Sequence, residues 1–327
     1  MVMSWTNQST VSEFLLLGLS RQPEQQQIIF VLFLSMYLAT VLGNLLIILA
    51  ISTDSRLHSP MYFFLSNLSF VDLCFSSTIV PNMLTNHILS RQTISVPGCL
   101  TQMYFFIVFL SMDNFLLTVM AYDRFVAICH PLHYTTKMTH QLCALMLIGS
   151  WCIANMNALL HTLLMARLSF CADNRLPHFF CDVAPLLKLS CSDTHISEMM
   201  ILTEGGLMTI TPLICILVSY FCITCAVLKI PSVKGKWKAF STCGSHLAAV
   251  SLFHGTIIAV YFSPSSSHSA ENDIAAAVMY TVVTPMLNPF IYSLRNKDMK
   301  GALTKVVYII VFSFQQRMGS KCHKGMS

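Results

Sequence analysis

The sequence predicts an all-α fold, a bundle of seven transmembrane helices with a short amphipathic helix after the seventh. The 327 residues are 55% hydrophobic and only 10% charged, and the mean hydropathy is +0.65. Soluble domains carry about 25% charged residues, so this chain cannot cover itself with a polar surface. Seven apolar runs reach the roughly 20 residues that a membrane-spanning helix needs. They cover residues 28–51, 60–80, 99–122, 142–164, 199–228, 239–262 and 274–294.

The first three runs hold two charged residues between them. The first run has none, the second carries Asp72, and the third carries Asp113. An acid within the bilayer core is costly and normally faces the interior of the protein, where it pairs with polar groups. We therefore expect both carboxyl groups to lie inside the bundle.

The last four runs contain a single acid, Glu204 in the fifth, and no basic residue other than histidine. Pro212 interrupts the fifth run, and Pro285 and Pro289 interrupt the seventh. Proline removes a helix hydrogen bond, so we expect kinked helices at these positions.

The two ends of the chain are predicted on opposite sides of the membrane, because the number of spans is odd. An Asn-Gln-Ser glycosylation acceptor at Asn7 indicates that residues 1–27 are extracellular. With this orientation, 14 of the 19 Lys and Arg residues fall in the inner loops and tail, as the positive-inside rule requires. We expect a multi-pass plasma membrane protein with its transmembrane domain at 28–294 and a cytoplasmic tail at 295–327.

The tail begins with a basic stretch followed by an apolar one. Residues 297–308 are predicted to form a short amphipathic helix on the membrane surface, with basic side chains at the lipid headgroups.

Four cysteines lie on the predicted extracellular side: Cys99, Cys171, Cys181 and Cys191. In an oxidising compartment they predict two disulfide bonds with three possible pairings. Their spacing does not choose between the pairings.

A polar stretch, residues 120–134, follows the third run at the inner side of the membrane. It contains the acid–base pair Asp123 and Arg124. Such a pair is costly at the membrane edge unless it is paired or reaches water. It is either a switch, in which the arginine changes partners when span six moves, or a helix-end pair that snorkels to the surface.

Five motifs in the expected order resemble the olfactory receptors, which are rhodopsin-like G-protein-coupled receptors. The likeness covers about residues 7–303 and is closest to the tetrapod-type class, family 1. The motifs are LHSPMY at 57–62, MAYDRFVAIC at 120–129, SY at 219–220, KAFSTCGSHL at 238–247 and PMLNPFIYSLRN at 285–296. Phe125 departs from the family pattern, which usually has tyrosine there, and this departure affects the face expected to contact the G protein.

The resemblance implies a receptor and not an enzyme. The family binds small volatile molecules and activates the heterotrimeric olfactory stimulatory G protein, which raises cyclic AMP. The implied partners are thus an odorant, this G protein and the lipid bilayer, and we expect no nucleic acid, no cofactor and no copper or zinc site. The likeness also pairs Cys99 with Cys181, which leaves Cys171 for Cys191.

The resemblance further assigns residues to a switch and to a polar core. Tyr220 and Tyr292 are the implied partners of Arg124 after its rearrangement. Asn44, Asp72 and Asn288 form the implied polar core, which either holds a sodium ion or packs through hydrogen bonds alone.

The predicted odorant cavity lies in the outer half of spans three, five, six and seven, because ligand sites often occur between helices. Helical spacing puts four residues on one face of span three: Phe106, Ile107, Leu110 and Ser111. Further residues match cavity positions of the family: Met208, Ile257, Ile258, Tyr261 and Thr281.

Two further residues of the predicted cavity are unusual. His254 replaces the usual tyrosine and is either a hydrogen-bond donor to an odorant or a core histidine. Glu204 either meets a polar odorant or amine, or pairs with His254 or water.

One other function remains as an alternative, namely a rhodopsin-like receptor for an endogenous small molecule outside the olfactory epithelium. A transporter or channel would need charged residues along a pathway and repeated halves, and an intramembrane hydrolase would need clustered acids or histidines. The sequence indicates neither pattern.

Overall fold

The computed structural model of the protein describes residues 11–19, 22–89, 92–170, 174–261 and 270–324. The predicted glycosylation site Asn7 and the predicted disulfide partner Cys171 lie outside these residues.

Seven helical spans form the bundle, and we number them one to seven in chain order. Spans one to four are Pro23–Thr53, Pro60–Ile88, Val96–Cys129 and His140–Ala166. Span five comprises the α-helix His195–Met200, the π-helical turn Ile201–Gly205 and the α-helix Gly206–Leu228. Span six is Val233–Tyr261. Span seven comprises the α-helix Ala270–Val278, the π-helical turn Met279–Val283 and the α-helix Thr284–Arg295.

The lengths and composition of the helices confirm the predicted fold class. Within the described residues, six of the spans are long and apolar enough to cross a bilayer, and span six contributes the shorter apolar stretch Cys243–Ile258. The protein is therefore a multi-pass membrane protein with an all-α seven-helix bundle.

Several helices are longer than the apolar runs that predicted them. The second run was predicted to end at residue 80, but span two continues through Pro81 to Ile88. The tail prediction of 297–308 was also too short, since the helix runs from Lys297 to Lys324. Its buried residues Met299, Ala302 and Val306 recur at helical spacing, which confirms an amphipathic first half.

Span three is the centre of the bundle and packs against spans two, four, five and six. Its side chains from Cys99 to Val126 include seventeen buried residues, among them Met112 and Met120. Span three therefore contacts four of the six other spans.

A small three-stranded sheet covers the end of the bundle where span three begins. Strand β1, Glu13–Leu16, lies between the antiparallel strand β2, Thr93–Ser95, and the parallel strand β3, Arg175–Leu176. Phe14 of β1 is fully buried. The segment after β1 turns at Gly18, whose φ of +69° is readily adopted only by glycine.

Two short helices and two single helical turns lie in the loops. Tyr134–Lys137 follows span three, Val183–Lys188 lies in the loop before span five, and the single turns Ser55–Leu57 and Pro131–His133 precede spans two and four. Tyr134 of the first of these helices contributes directly to the site described below.

Candidate functional site

A disulfide bond joins the beginning of span three to the loop between spans four and five. It links Cys99 and Cys181, the pair implied by the resemblance. The main-chain N–H of Cys181 donates a 3.0 Å hydrogen bond to Gln102, whose amide donates to the carbonyl of Thr78 in span two. The loop is thus attached to two spans. Cys191 is also disulfide-bonded, and its pairing with Cys171 stays a prediction.

The same loop inserts Phe180 into an aromatic cluster above the centre of the bundle. The ring of Phe180 lies 4.9 Å from that of Phe106. Phe106 in turn lies 5.6 Å from Phe75 and 6.2 Å from Tyr280. All four side chains are at most 2% exposed. Phe106, which was predicted to line the cavity, therefore packs directly beneath the loop.

The other predicted cavity residues differ in how far they are buried. Ile107, His254, Ile257 and Thr281 are buried, and Leu110, Ser111, Glu204 and Met208 are partly buried. Ile258 is 42% exposed, on the outer surface of the bundle. The side chain of Tyr261 lies outside those that the structure describes.

A hydrogen-bonded group connects spans three, five and six near the middle of the bundle. His254 Nε2 lies 3.0 Å from the side-chain oxygen of Asn114. The amide nitrogen of Asn114 donates a 2.7 Å hydrogen bond to the main-chain oxygen of Met208. Sequence reasoning missed Asn114, although a buried amide in an apolar run is itself a signal, since such a group needs partners.

Glu204 lies next to a different histidine from the one expected. Its carboxylate lies 4.0 Å from Nε2 of His161 in span four. His254, the predicted alternative partner, instead bonds to Asn114. Glu204 therefore faces the boundary between spans four and five.

The predicted polar core forms a hydrogen-bonded group that includes span seven. The amide of Asn288 donates to both carboxylate oxygens of Asp72, at 3.2 and 2.9 Å. The amide of Asn44 donates to the main-chain oxygen of Pro285 at 3.1 Å. Asp113 is 3% exposed, and its Oδ1 has no hydrogen-bond partner among the described residues.

The inner switch differs from the expected acid–base pair. Asp123 accepts a 2.7 Å hydrogen bond from the hydroxyl of Tyr134. Among the described residues, no ion pair within 4.0 Å joins Asp123 to Arg124, and Nε of Arg124 has no hydrogen-bond partner. Burial, together with the Asp123 carboxylate, raises the pKa of Tyr134 well above its ordinary value, so its hydroxyl stays protonated.

A buried histidine holds the inner half of span six. His246 Nε2 lies 2.9 Å from the main-chain oxygen of Leu117, and Nδ1 lies 2.7 Å from the hydroxyl of Tyr220. A carbonyl oxygen can only accept, so Nε2 carries the hydrogen, and in a neutral ring Nδ1 accepts from Tyr220. Tyr220 is thereby engaged with span six and not with Arg124. The hydroxyl of Tyr292 is buried without a hydrogen-bond partner among the described residues.

Comparison with known proteins gives one consistent result. The family described as olfactory receptor matches residues 33–309. Olfactory receptor 1f45 of Rattus norvegicus is 76% identical over 305 residues, which cover 93% of this chain and 97% of the relative. Olfactory receptor 1F1 of Homo sapiens is 75% identical over 311 residues, 95% of this chain and all of the relative. Olfactory receptor 1J4 of Homo sapiens is 62% identical over 300 residues, which cover 92% of this chain and 96% of the relative.

The matched region extends from within span one into the tail helix, so it contains most of span one, all of spans two to seven and each polar group described above. The chain belongs to the olfactory receptor family, whose members are G-protein-coupled receptors and not enzymes.

Proposed function

We propose that this receptor binds small, volatile, hydrophobic odorants within the helix bundle and activates the olfactory stimulatory G protein, which raises cyclic AMP. The ligand side of this proposal is supported by the partly buried Leu110 and Ser111 of span three and Met208 of span five, two spans that the bond from Asn114 to Met208 joins. Such a lining is mainly apolar, with a few polar groups that fix the orientation of a ligand.

The observation that carries the proposal is the attachment of span six at two levels. Near the ligand region, His254 bonds to Asn114 of span three. Closer to Arg124, His246 bonds to Leu117 of span three and Tyr220 of span five. A ligand that alters the upper contact therefore biases the position of the whole helix, as a two-state switch requires.

The proposed orientation places Arg124 and Tyr134 on the cytoplasmic side. It is supported by 14 of the 19 Lys and Arg residues, which lie in the loops and tail at that end. It also puts the Cys99–Cys181 bond on the extracellular side, where disulfides form and persist. An outward movement of span six would then open the bundle to a cytoplasmic G protein.

The polar core fits a monovalent cation. Four buried oxygens have no hydrogen-bond partner among the described residues: Asn44 Oδ1, Ser76 Oγ, Asp113 Oδ1 and Asn288 Oδ1. The two fully buried carboxylates Asp72 and Asp113 need a compensating positive charge or protons. Oxygen atoms of this kind are the ligands that a hard cation takes, so we propose that Asp72 and Asp113 hold a sodium ion there.

A cyclic AMP reporter assay tests the proposed function. Cells that contain the olfactory stimulatory G protein display the receptor, and a panel of volatile molecules is applied after surface display has been verified. We expect a concentration-dependent signal for part of the panel. An Arg124→Ala variant that is displayed equally should give no signal. Silence of the unmodified receptor across a broad panel would contradict the proposal.

A further inference from the structure

The boundary between spans four and five contains a polar group that the apolar cavity does not explain. His161 is 6% exposed and lies 4.0 Å from the carboxylate of Glu204. One helical turn before His161, on the same face of span four, Asn157 is 8% exposed. Its Oδ1 has no hydrogen-bond partner among the described residues. Because buried polar atoms normally have partners, this oxygen indicates a group that completes the site.

The carboxylate of Glu204 is accessible to such a group, since the Glu204 side chain is 32% exposed. Glu204 belongs to the π-helical turn Ile201–Gly205, and π-helical turns occur frequently at functional sites. The next two residues are Gly205 and Gly206, which add no side-chain bulk to this part of span five.

The site is connected to the proposed odorant cavity through span five. Met208 follows Glu204 by one helical turn, and its main-chain oxygen accepts a 2.7 Å hydrogen bond from Asn114 of span three. A ligand with its polar end at Glu204 can therefore direct its apolar part along Met208 and towards span three.

We propose that Glu204, His161 and Asn157 form a subsite for the protonated amino group of an odorant amine. A primary ammonium has three N–H donors and no acceptor. The site offers three acceptors, namely the Glu204 carboxylate, Oδ1 of Asn157 and Nε2 of a neutral His161. Glu204 belongs to the candidate membrane span His195–Leu228, where the attraction between a carboxylate and a cation is stronger than in water. This inference deepens the proposed odorant function and rests on it.

Other head groups match the subsite less well. An alcohol supplies one donor and leaves two acceptors without partners. An aldehyde supplies none, and a carboxylate is repelled by Glu204. Leaving a buried acceptor unpaired costs binding free energy, so the subsite discriminates between molecules that share one carbon chain.

The test uses four molecules with the same chain, namely hexylamine, 1-hexanol, hexanal and hexanoic acid, in the cyclic AMP assay at neutral pH. We expect hexylamine to have an EC50 at least about tenfold lower than 1-hexanol. Glu204→Gln should raise the EC50 for hexylamine about tenfold or more while changing that for 1-hexanol by less than about threefold. Asn157→Ala should act in the same direction with a smaller effect.

Glu198→Gln is the matched control, because Glu198 is an exposed acid at the same end of span five and its side chain bonds only to Thr194 among the described residues. It should leave all four responses unchanged. Equal effects of Glu204→Gln and Glu198→Gln would overturn the subsite. If Glu204→Gln fails to reach the cell surface, the unmodified receptor decides, since an amine that is no more potent than the matched alcohol also overturns it. Failure of the odorant function itself would instead appear as silence towards every volatile.

Discussion

Nε2 of His246 donates a 2.9 Å hydrogen bond to the main-chain oxygen of Leu117, 129 residues earlier in the chain. The other ring nitrogen accepts from the hydroxyl of Tyr220. One fully buried side chain thus holds span six against both spans three and five, next to the inner switch.

Removal of this side chain should therefore activate the receptor without a ligand. His246→Ala deletes both hydrogen bonds, each worth about 1 kcal/mol, which favours the released position of span six roughly tenfold or more. We expect basal cyclic AMP per displayed receptor to rise several-fold. Tyr220→Phe, which removes one bond, should give a smaller rise, and His140→Ala, at an exposed position, should give none. Unchanged basal signalling in the His246→Ala variant would contradict the proposed lock.

The spans were predictable from the sequence, whereas the partners of their polar groups were not. Apolar runs with single acids such as Asp72 are a local signal that needs no knowledge of packing. The proximity of Glu204 to His161 depends on how spans four and five are rotated, and on the extra residue that the turn Ile201–Gly205 inserts. That rotation has no signature in either segment alone.

The same limit applies to the loops and the first strand. The pairing of β1 with β3 joins segments about 160 residues apart and has no alternating pattern long enough to predict it. The bond from Tyr134 to Asp123 requires the chain to turn back after span three. The Cys99–Cys181 bond came from the family resemblance, because spacing allowed three pairings.

The bond between Tyr134 and Asp123 predicts a second outcome. Asp123 is 2% exposed, and Tyr134→Phe would leave its carboxylate without this partner, at a cost of about 1–3 kcal/mol. We expect a lower Tm for the purified receptor in detergent. Tyr122→Phe, at a tyrosine that is 38% exposed, is the control and should be neutral. Equal Tm values for the two variants would mean that the Tyr134 hydroxyl does not stabilise the fold.

Asp182 in the outer loop predicts a pH-dependent stability. Burial raises the pKa of its carboxyl from 3.8 to about 6, although the carboxylate caps the N–H of Val183. The folded state thus binds the proton more tightly than the unfolded state, so stability falls as pH rises from about 4 to 6 and is level above. The shift from 3.8 to about 6 is worth on the order of 2–3 kcal/mol.

Asp182→Asn tests this directly, because the amide oxygen can still accept the cap hydrogen bond while the charge is absent. We expect a higher Tm than the unmodified receptor at pH 7, with the difference shrinking towards pH 4. Asp193→Asn, at an exposed cap in the same loop, should show no such pH dependence. A lower Tm for Asp182→Asn at pH 7 would show that the carboxylate stabilises the loop.

The polar core predicts stabilisation by sodium. An ion that binds only the folded receptor adds free energy of unfolding, about 1.4 kcal/mol at ten times its Kd. We expect the Tm of the purified receptor to be higher in sodium chloride than in N-methylglucamine chloride of equal ionic strength, since the organic cation is too large for the core. Asp72→Asn should abolish the difference, because it removes a carboxylate that would hold the ion. Asp298→Asn, at an exposed acid in the tail helix, should preserve it. If the unmodified receptor and Asp72→Asn respond equally to sodium, the core is held together by hydrogen bonds and protons alone.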